Sequence, residues 1–403
     1  MTRQFLAALA CAGLLLAQRP PVEDVWDLLA KGERSQAVRL LQQIIKNNPR
    51  DADARLLLGS ILAEDGKGSE AIAQLVEAVR LLPRSPLAHH ALGEACNRFG
   101  DAKAARGELE KAVGLDPNFA QARVDLGLVL LQAGESAAAA EHLDRAIRML
   151  GRKPDAAFPK YLRGKIYTEQ NEIEKAAAEL KEAVSLRPDF AEAWSDLGQA
   201  RKTLLDDAGA FAAFQRAVEL DPDNAISQYR LGAEYLRQGK AHQAVLHLQE
   251  AFRLNPENQS TLYSLQLALR EDGQLEQARR IKEKLAELLR KIDQESQDAF
   301  TALRLNNEGA ALEKAGNLRG ALEKYRAAVA LDPEHVGIRV NFGAALLRLG
   351  RWKEGLSELR EALRRDPGNA LVKAALEDAL EQAPLEFGGK GKPVPAPKPG
   401  TRH

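Results

Sequence analysis

The strongest feature of the sequence is a proline that recurs every 34 residues along most of the chain. A glycine and an alanine recur at the same spacing, and all three series are interrupted at the same two places. Because three residue types share one register, the period belongs to a repeated structural unit. The chain is therefore predicted to be a stack of similar units. The prolines of this register are Pro49, Pro83, Pro117, Pro188, Pro222, Pro256, Pro333 and Pro367.

The unit from Ala191 to Asn224 shows what each copy encodes. In both of its halves, apolar residues recur at intervals of three and four, which is typical of an amphipathic helix. Pro222 ends the second half, because proline lacks a backbone N–H and clashes with the preceding turn. Asp223 and Asn224 then offer N-cap side chains to the next helix. Each unit is thus predicted to be two helices joined by a short turn.

Residues at fixed places within the unit resemble the tetratricopeptide repeat. Residues 191–224 carry its pattern at Trp194, Leu197, Gly198, Ala210, Phe214, Ala217 and Pro222. Residues 225–258 carry it at Leu231, Gly232, Tyr235, Gly239, Ala244, Leu248, Ala251 and Pro256. The resemblance implies an all-α fold, a right-handed superhelix (α-solenoid) of about ten helix-turn-helix repeats with a C-terminal capping helix. It also implies a concave groove, lined by the first helix of each repeat, that binds a peptide or a protein.

The register and its interruptions divide the chain into six segments. We expect a signal peptide at 1–17, repeats one to eight at 18–292, a helical insertion at 293–301, repeats nine and ten at 302–369, a capping helix at 370–383 and a disordered tail rich in Pro and Lys at 384–403. The first and eighth repeats depart most from the pattern, with Val25 and Gln266 in place of its glycine. The insertion indicates either one lengthened helix in an unbroken solenoid or a spacer between two blocks of repeats.

The first residues have the organisation of a secretory signal peptide. Met1–Arg3 is a short positive start, Phe5–Ala17 is an apolar run, and Gln18–Pro21 ends it. The run is too short for a permanent bilayer anchor, so the mature chain is predicted to lack a transmembrane span. Two other interpretations stay open, a buried N-terminal helix and a lipoprotein with its lipid on Cys11. Export predicts a periplasmic or extracellular location and leaves Cys96 without a disulfide partner.

Charge and motif content exclude several classes of function. The chain has 57 Lys and Arg against 57 Asp and Glu, and this lack of a basic excess argues against nucleic-acid binding. It has no Gly-rich phosphate loop and no HExxH or CxxC motif, so we predict no metal, no cofactor and no catalytic residue. The function predicted is a non-catalytic protein-interaction scaffold. The alternatives are a self-associating assembly factor of the cell envelope, and a regulatory or substrate-presenting subunit of an envelope enzyme.

Candidate binding residues lie on one stripe of the first helices, given by helical spacing. Three tyrosines occupy its fifth position, and tyrosine suits recognition because it combines a rigid ring with a polar tip. The same rings would alternatively pack between neighbouring helices. In some long superhelices of the family an asparagine at the sixth position holds the peptide backbone, and only two repeats here carry one. The candidates are Tyr161, Lys165, Gln199, Lys202, Tyr229, Arg237, Tyr263, Arg270, Asn307 and Asn341.

Removal of residues 1–17 on export is the first prediction. Their positive start and short apolar run are those of a segment that signal peptidase removes, so the mature protein should begin near Gln18. N-terminal sequencing of the protein recovered from an exporting cell measures this. A cytosolic chain that still begins at Met1 or Thr2 would contradict export, whereas a lipid on Cys11 would establish the lipoprotein alternative.

Overall fold

The structure, a computed structural model, describes residues 20–384. Twenty α-helices and one short 3₁₀ segment follow one another within this range. The all-α solenoid of helical repeats predicted from the sequence is thereby confirmed. The predicted signal peptide at 1–17 and the predicted tail from residue 385 onward lie outside the described residues.

The chain divides between Pro256 and Glu257 into two compact units. The first contains α1 (Pro20–Ala30), α2 (Arg34–Asn47), α3 (Ala52–Glu64), α4 (Gly68–Leu81), α5 (Pro86–Arg98), α6 (Ala102–Leu115), α7 (Ala120–Gln132), α8 (Ser136–Leu150), α9 (Ala157–Glu169), α10 (Ile173–Leu186), α11 (Ala191–Thr203), α12 (Asp207–Leu220), α13 (Ala225–Arg237) and α14 (Ala241–Leu254). The second contains α15 (Gln259–Glu271), α16 (Leu275–Lys314), α17 (Leu318–Leu331), α18 (Val336–Arg348), α19 (Trp352–Arg365) and α20 (Ala370–Gln382).

Consecutive helices form hairpins inside each unit. In the first unit α3 packs on α4, α4 packs on the next first helix α5, and α3 also touches α5. Each repeat thus contacts only its neighbours, so the stability of a unit is close to a sum of repeat and interface contributions. This arrangement places the first helices of successive repeats of a unit side by side, so the candidate binding residues of the first unit lie on neighbouring helices.

A glycine in the first helix sets how closely the two helices of a hairpin approach. A methyl group added to Gly198 would lie 2.6 Å from the ring of Phe214, and one added to Gly59 would lie 2.6 Å from Leu75. Since carbon atoms cannot approach so closely, any larger residue would push the helices apart. The same contact, at 2.7–2.9 Å from a residue sixteen places later, is made by Gly93, Gly127, Gly164, Gly232 and Gly309. At Gly343 the corresponding distance, to Leu359, is 3.3 Å.

The fourth residue of the repeat ties each hairpin to the turn before it. Trp194 Nε1 donates a hydrogen bond of 3.0 Å to the carbonyl of Pro188, and Gln228 Nε2 donates one of 2.8 Å to that of Pro222. The family pattern has an aromatic residue here, but any side-chain donor that reaches the proline carbonyl six residues earlier can form this hydrogen bond. The same bond to the preceding proline is made by Arg55, His89, Arg123 and Arg339.

The segment around the insertion is one helix. α16 runs for 40 residues and contains 293–301 in its interior. Its beginning packs on α15 as the second helix of one repeat, and its end packs on α17 as the first helix of the next. The division of the chain into units therefore lies before this helix and not at the insertion.

The turns between helices use left-handed backbone, which glycine adopts without strain. Gly66, Gly134 and Gly239 have φ of 75°, 77° and 70° at this place. The turn between α11 and α12 instead has Leu205, with φ of 62° and a side chain that is 85% exposed. A leucine there is sterically strained in the left-handed conformation, and burial of its side chain does not offset that strain.

Leu205→Gly should stabilise the first unit. Relief of the left-handed strain should raise its free energy of unfolding by about 0.5–1 kcal/mol, since almost no buried surface is lost. Urea unfolding followed by circular dichroism measures the gain. The matched control is Leu204→Gly. Leu204 has an ordinary φ of −81°, so glycine there should lower the free energy of unfolding. Equal effects of the two substitutions would refute the strain.

Candidate functional site

A cavity opens on the first helices of three consecutive repeats in the first unit. It measures about 270 Å³ and is bounded by α9, α11 and α13 with the start of α10. We call it the central pocket. It contains two of the candidate residues, Lys165 and Gln199, and polar groups of both charge signs. Its lining residues are Lys165, Thr168, Glu169, Ile173, Asp196, Gln199, Ala200, Thr203 and Arg230.

Polar pairs join the first helices of adjacent repeats along this surface. Arg230 Nη1 donates to Ser195 Oγ at 2.8 Å and to Asp196 Oδ1 at 2.9 Å. Both are contacts between the sixth residue of one repeat and the fifth or sixth of the repeat before. In the second unit, Asn341 Nδ2 donates to Asn306 Oδ1 at 2.9 Å in the same way. Asn341, a candidate for holding a peptide backbone, thus bonds a neighbouring repeat.

The three candidate tyrosines have different surroundings. The ring of Tyr161 lies 4.8 Å from that of Phe190, between centroids, and its hydroxyl is hydrogen-bonded to Asp196. Burial raises the pKa of this hydroxyl, and the negative charge of Asp196 adds to the effect. Tyr229 is half-buried, and Tyr263 in the second unit is 62% exposed. Tyr161 therefore packs between helices, which is the alternative interpretation of these residues, whereas Tyr263 presents its ring to solvent.

Two candidate cations surround a buried carboxylate. Glu234 is fully buried and accepts a hydrogen bond of 2.6 Å from Arg237 Nη2, and Lys202 Nζ lies 3.5 Å from Glu234 Oε2. Burial alone would raise the pKa of Glu234, but the bonds from Arg237 and Gln238 and the charge of Lys202 outweigh it and lower that pKa. Arg237 also pairs with Asp207 at 2.9 Å. Lys202 and Arg237 are thus partly exposed cations that form ion pairs with buried Glu234.

A second polar cluster lies on α5 and α7. His90 is buried, and its Nε2 lies 2.7 Å from Asp125 Oδ2 of the next repeat. Burial raises the pKa of the nearby Glu94, and the charge of Asp125 raises it further. The pair follows the same spacing of 35 residues as Asn306 and Asn341. A hydrogen-bond donor and an acceptor placed 35 residues apart are therefore the sequence signal from which these pairs could have been predicted.

The remaining candidates belong to the second unit. Tyr263 and Arg270 lie on α15, Asn307 lies on α16, and all three side chains are exposed. In the part of the chain from 20 to 384, no group of three or more His, Cys, Asp or Glu side chains could hold a metal ion. Over residues 20–384, no helix is both long and apolar enough to cross a bilayer.

Tyr161→Ala should destabilise the first unit by about 2–4 kcal/mol, because it removes a ring packed against Phe158 and Phe190. Tyr161→Phe keeps the ring and loses only the bond to Asp196, so its cost should be about 0.5–1.5 kcal/mol. Tyr263→Ala should stay within about 0.5 kcal/mol of the parent chain, as expected at an exposed site. Urea unfolding of the three variants measures this. A negligible effect of Tyr161→Ala would return Tyr161 to the exposed binding surface.

Comparison with known proteins adds to the geometry. Models described as tetratricopeptide repeat or TPR repeat match seven stretches that together cover more than half of the chain. These are residues 24–86, 65–119, 91–157, 164–204, 191–224, 213–245 and 312–379. No curated protein matches the chain.

Several solved structures resemble it at low identity. The pilF protein of Pseudomonas aeruginosa is 19% identical over 53% of this chain and 97% of its own, with a TM-score of 0.49. A tetratricopeptide repeat protein from Parabacteroides merdae is 15% identical over 62% of this chain and 98% of its own, with a TM-score of 0.48. YrrB, described as a TPR protein with an unusual peptide-binding site, is 20% identical over 47% of this chain and 96% of its own, with a TM-score of 0.39. With its family-model matches and its hairpins built on a repeated glycine contact, the chain belongs to the tetratricopeptide repeat family.

Proposed function

We propose that this protein is a non-catalytic scaffold that binds an extended segment of a partner protein across the first helices of the first unit, and that it does so outside the cytoplasm after loss of residues 1–17. Repeats of this family are generally interaction modules and not catalysts. The observation that carries the proposal is the central pocket, because it collects polar groups from three successive repeats.

The size of the central pocket suits a side chain better than a free metabolite. Its volume of about 270 Å³ lies just below the roughly 300–1,000 Å³ that small-molecule sites occupy. Such a pocket can take one large side chain of a chain that continues along the neighbouring helices. The proposal is therefore peptide recognition, with the central pocket as its anchoring point.

The exposed polar groups of the pocket give the peptide its contacts. Gln199 is exposed, and its amide can donate to one peptide carbonyl while accepting from one peptide N–H. Lys165 is also exposed, with its Nζ 5.8 Å from the centroid of the Tyr161 ring, and it supplies a positive charge for an acidic side chain. Arg230 and Asp196 also line the pocket and form an ion pair with each other at 2.9 Å. Gln199 and Lys165 are thus the residues on which affinity should depend.

Selection of peptides from a displayed random library on the intact protein tests this proposal. We expect a selected peptide to bind Lys165→Glu and Gln199→Ala at least about tenfold more weakly, since anchor residues contribute more than 1 kcal/mol each. Lys181→Glu is the matched control, because Lys181 is exposed on α10 and does not line the pocket. Recovery of no peptide, or equal binding to all three variants, would overturn the proposal.

A further inference from the structure

A second, smaller cavity lies between the first helices of two consecutive repeats, α3 and α5. Its volume is about 10 Å³, which is close to what one water-sized group needs. We call it the α3–α5 cavity. None of the candidates predicted from the sequence lines it, although three of its residues hold the same repeat positions as three residues of the central pocket. Its lining residues are Ser60, Ala63, Glu64, Ala91, Glu94, Ala95 and Arg98.

Glu64 brings an unused hydrogen-bond acceptor to the α3–α5 cavity. Its side chain is only 10% exposed, and its Oε2 pairs with Arg34 Nη2 at 2.6 Å. Its Oε1 is buried and has no hydrogen-bond partner among residues 20–384. A buried carboxylate oxygen without a partner is unfavourable, so a donor group in the cavity would stabilise it.

Two further acceptors line the cavity. Ser60 Oγ donates its own hydrogen to the carbonyl of Leu56 at 2.9 Å, so its lone pairs are left to accept. Glu94 adds a second carboxylate, and its pKa is raised by burial and by the charges of Asp125 and Glu64. A cation beside Glu94 would favour its charged form. The cavity thus offers acceptors on three residues to one water-sized group.

The cations already beside the cavity do not neutralise it. Arg98 divides its guanidinium between Glu94 Oε1 at 3.2 Å and a backbone carbonyl at 3.2 Å. Arg34 pairs with Asp65 at 2.6 Å as well as with Glu64. Three carboxylates therefore share two guanidinium groups, which leaves a net negative charge of one. An excess of negative charge favours a cation as the occupant.

The walls and the size of the cavity select among cations. Ala63, Ala91 and Ala95 supply small apolar surfaces around the acceptors. A lysine ammonium suits this space, because it is compact, carries three donors and no acceptor, and ends a flexible four-carbon stem. A planar guanidinium is too large for it. A metal ion would need more ligands, and within residues 20–384 no three His, Cys, Asp or Glu side chains could hold one.

We propose that the α3–α5 cavity binds a primary ammonium group, the side-chain end of a lysine in the partner segment. Its three N–H groups donate to Glu64 Oε1, to Glu94 and to Ser60 Oγ, and its methylene groups lie against the three alanines. That the ammonium belongs to a peptide rests on the function proposed above, whereas the ammonium site itself rests only on the cavity. A lysine here and an anchoring side chain in the central pocket together fix the direction in which the segment runs.

Titration with n-butylammonium tests the site without any peptide, because this ion reproduces a lysine side chain from Cβ to Nζ. In the intact protein with ¹³C-labelled alanine methyl groups, the methyls of Ala63, Ala91 and Ala95 should shift with a dissociation constant on the order of 1–10 mM. n-Butanol and sodium chloride at equal concentrations are the controls for the stem and for ionic strength. Shifts no larger than those with n-butanol would overturn the proposal.

Substitution of the carboxylates separates this site from general binding of cations. Glu64→Gln keeps the shape of the side chain and removes its charge, so it should weaken n-butylammonium binding at least about tenfold. Glu94→Gln is the second variant if Glu64→Gln does not fold, which circular dichroism checks. Glu70→Gln is the matched control and should change binding less than about twofold, because Glu70 is exposed on α4 and does not line the cavity. Equal binding to the parent chain and to the carboxylate variants would refute the site.

Peptides selected on the intact protein identify the source of the ammonium group. A selected peptide should carry a lysine whose replacement by methionine weakens binding to the parent chain at least about tenfold, but weakens binding to Glu64→Gln less than about twofold. Selected peptides without such a lysine would contradict the assignment to a peptide and leave peptide recognition intact. Binding of n-butylammonium without recovery of any peptide would support the ammonium site and overturn its assignment to a peptide together with the function proposed above.

Discussion

The contact between a glycine of the first helix and a large apolar residue sixteen places later is the constraint on which the rest of this structure depends. At Gly198 and Phe214, and at Gly59 and Leu75, no Cβ fits between the helices. This close approach fixes each hairpin, and stacked hairpins then bring successive first helices together. The candidate binding surface exists because the second helix of each hairpin packs closely on the first helix and so fixes its position. The arrangement of that surface therefore depends mainly on these packing contacts, and few of its residues are available for binding alone.

Several polar side chains on the first helices join one repeat to the next. Arg230 bonds Ser195 and Asp196, His90 bonds Asp125, and the fourth residue of the repeat bonds the proline before it. These bonds connect one repeat to the next, so they add polar contributions to interfaces that alanine and leucine supply with apolar ones. Among the candidate residues that line the central pocket, Lys165 and Gln199 remain exposed.

The sequence predicts the fold well because the fold is local. Pro222 ends a helix and Gly239 forms a left-handed turn for reasons that lie within a few residues of each. The roles of single groove residues are not local. Arg237 was predicted as a binding residue, but it pairs with Glu234, which is buried at a place where neighbouring repeats have alanine. Tyr161 likewise depends on Phe190 at the far end of its own repeat and on Asp196 of the next one, and the positions of the family pattern include neither contact.

The eighth repeat shows what happens when these constraints are relaxed. It has Gln266 where other repeats have the close-packing glycine, and Arg290 where they have the terminating proline. Without the proline nothing stops the second helix, and it continues as α16 into the following repeat. The nine residues by which the register is interrupted then extend the helix instead of forming a turn. A helix that runs through two repeats is packed at its two ends, where Ala278 and Ala302 are buried, and it exposes more of the residues between them. The loss of the repeat pattern therefore also accounts for the exposed middle of α16.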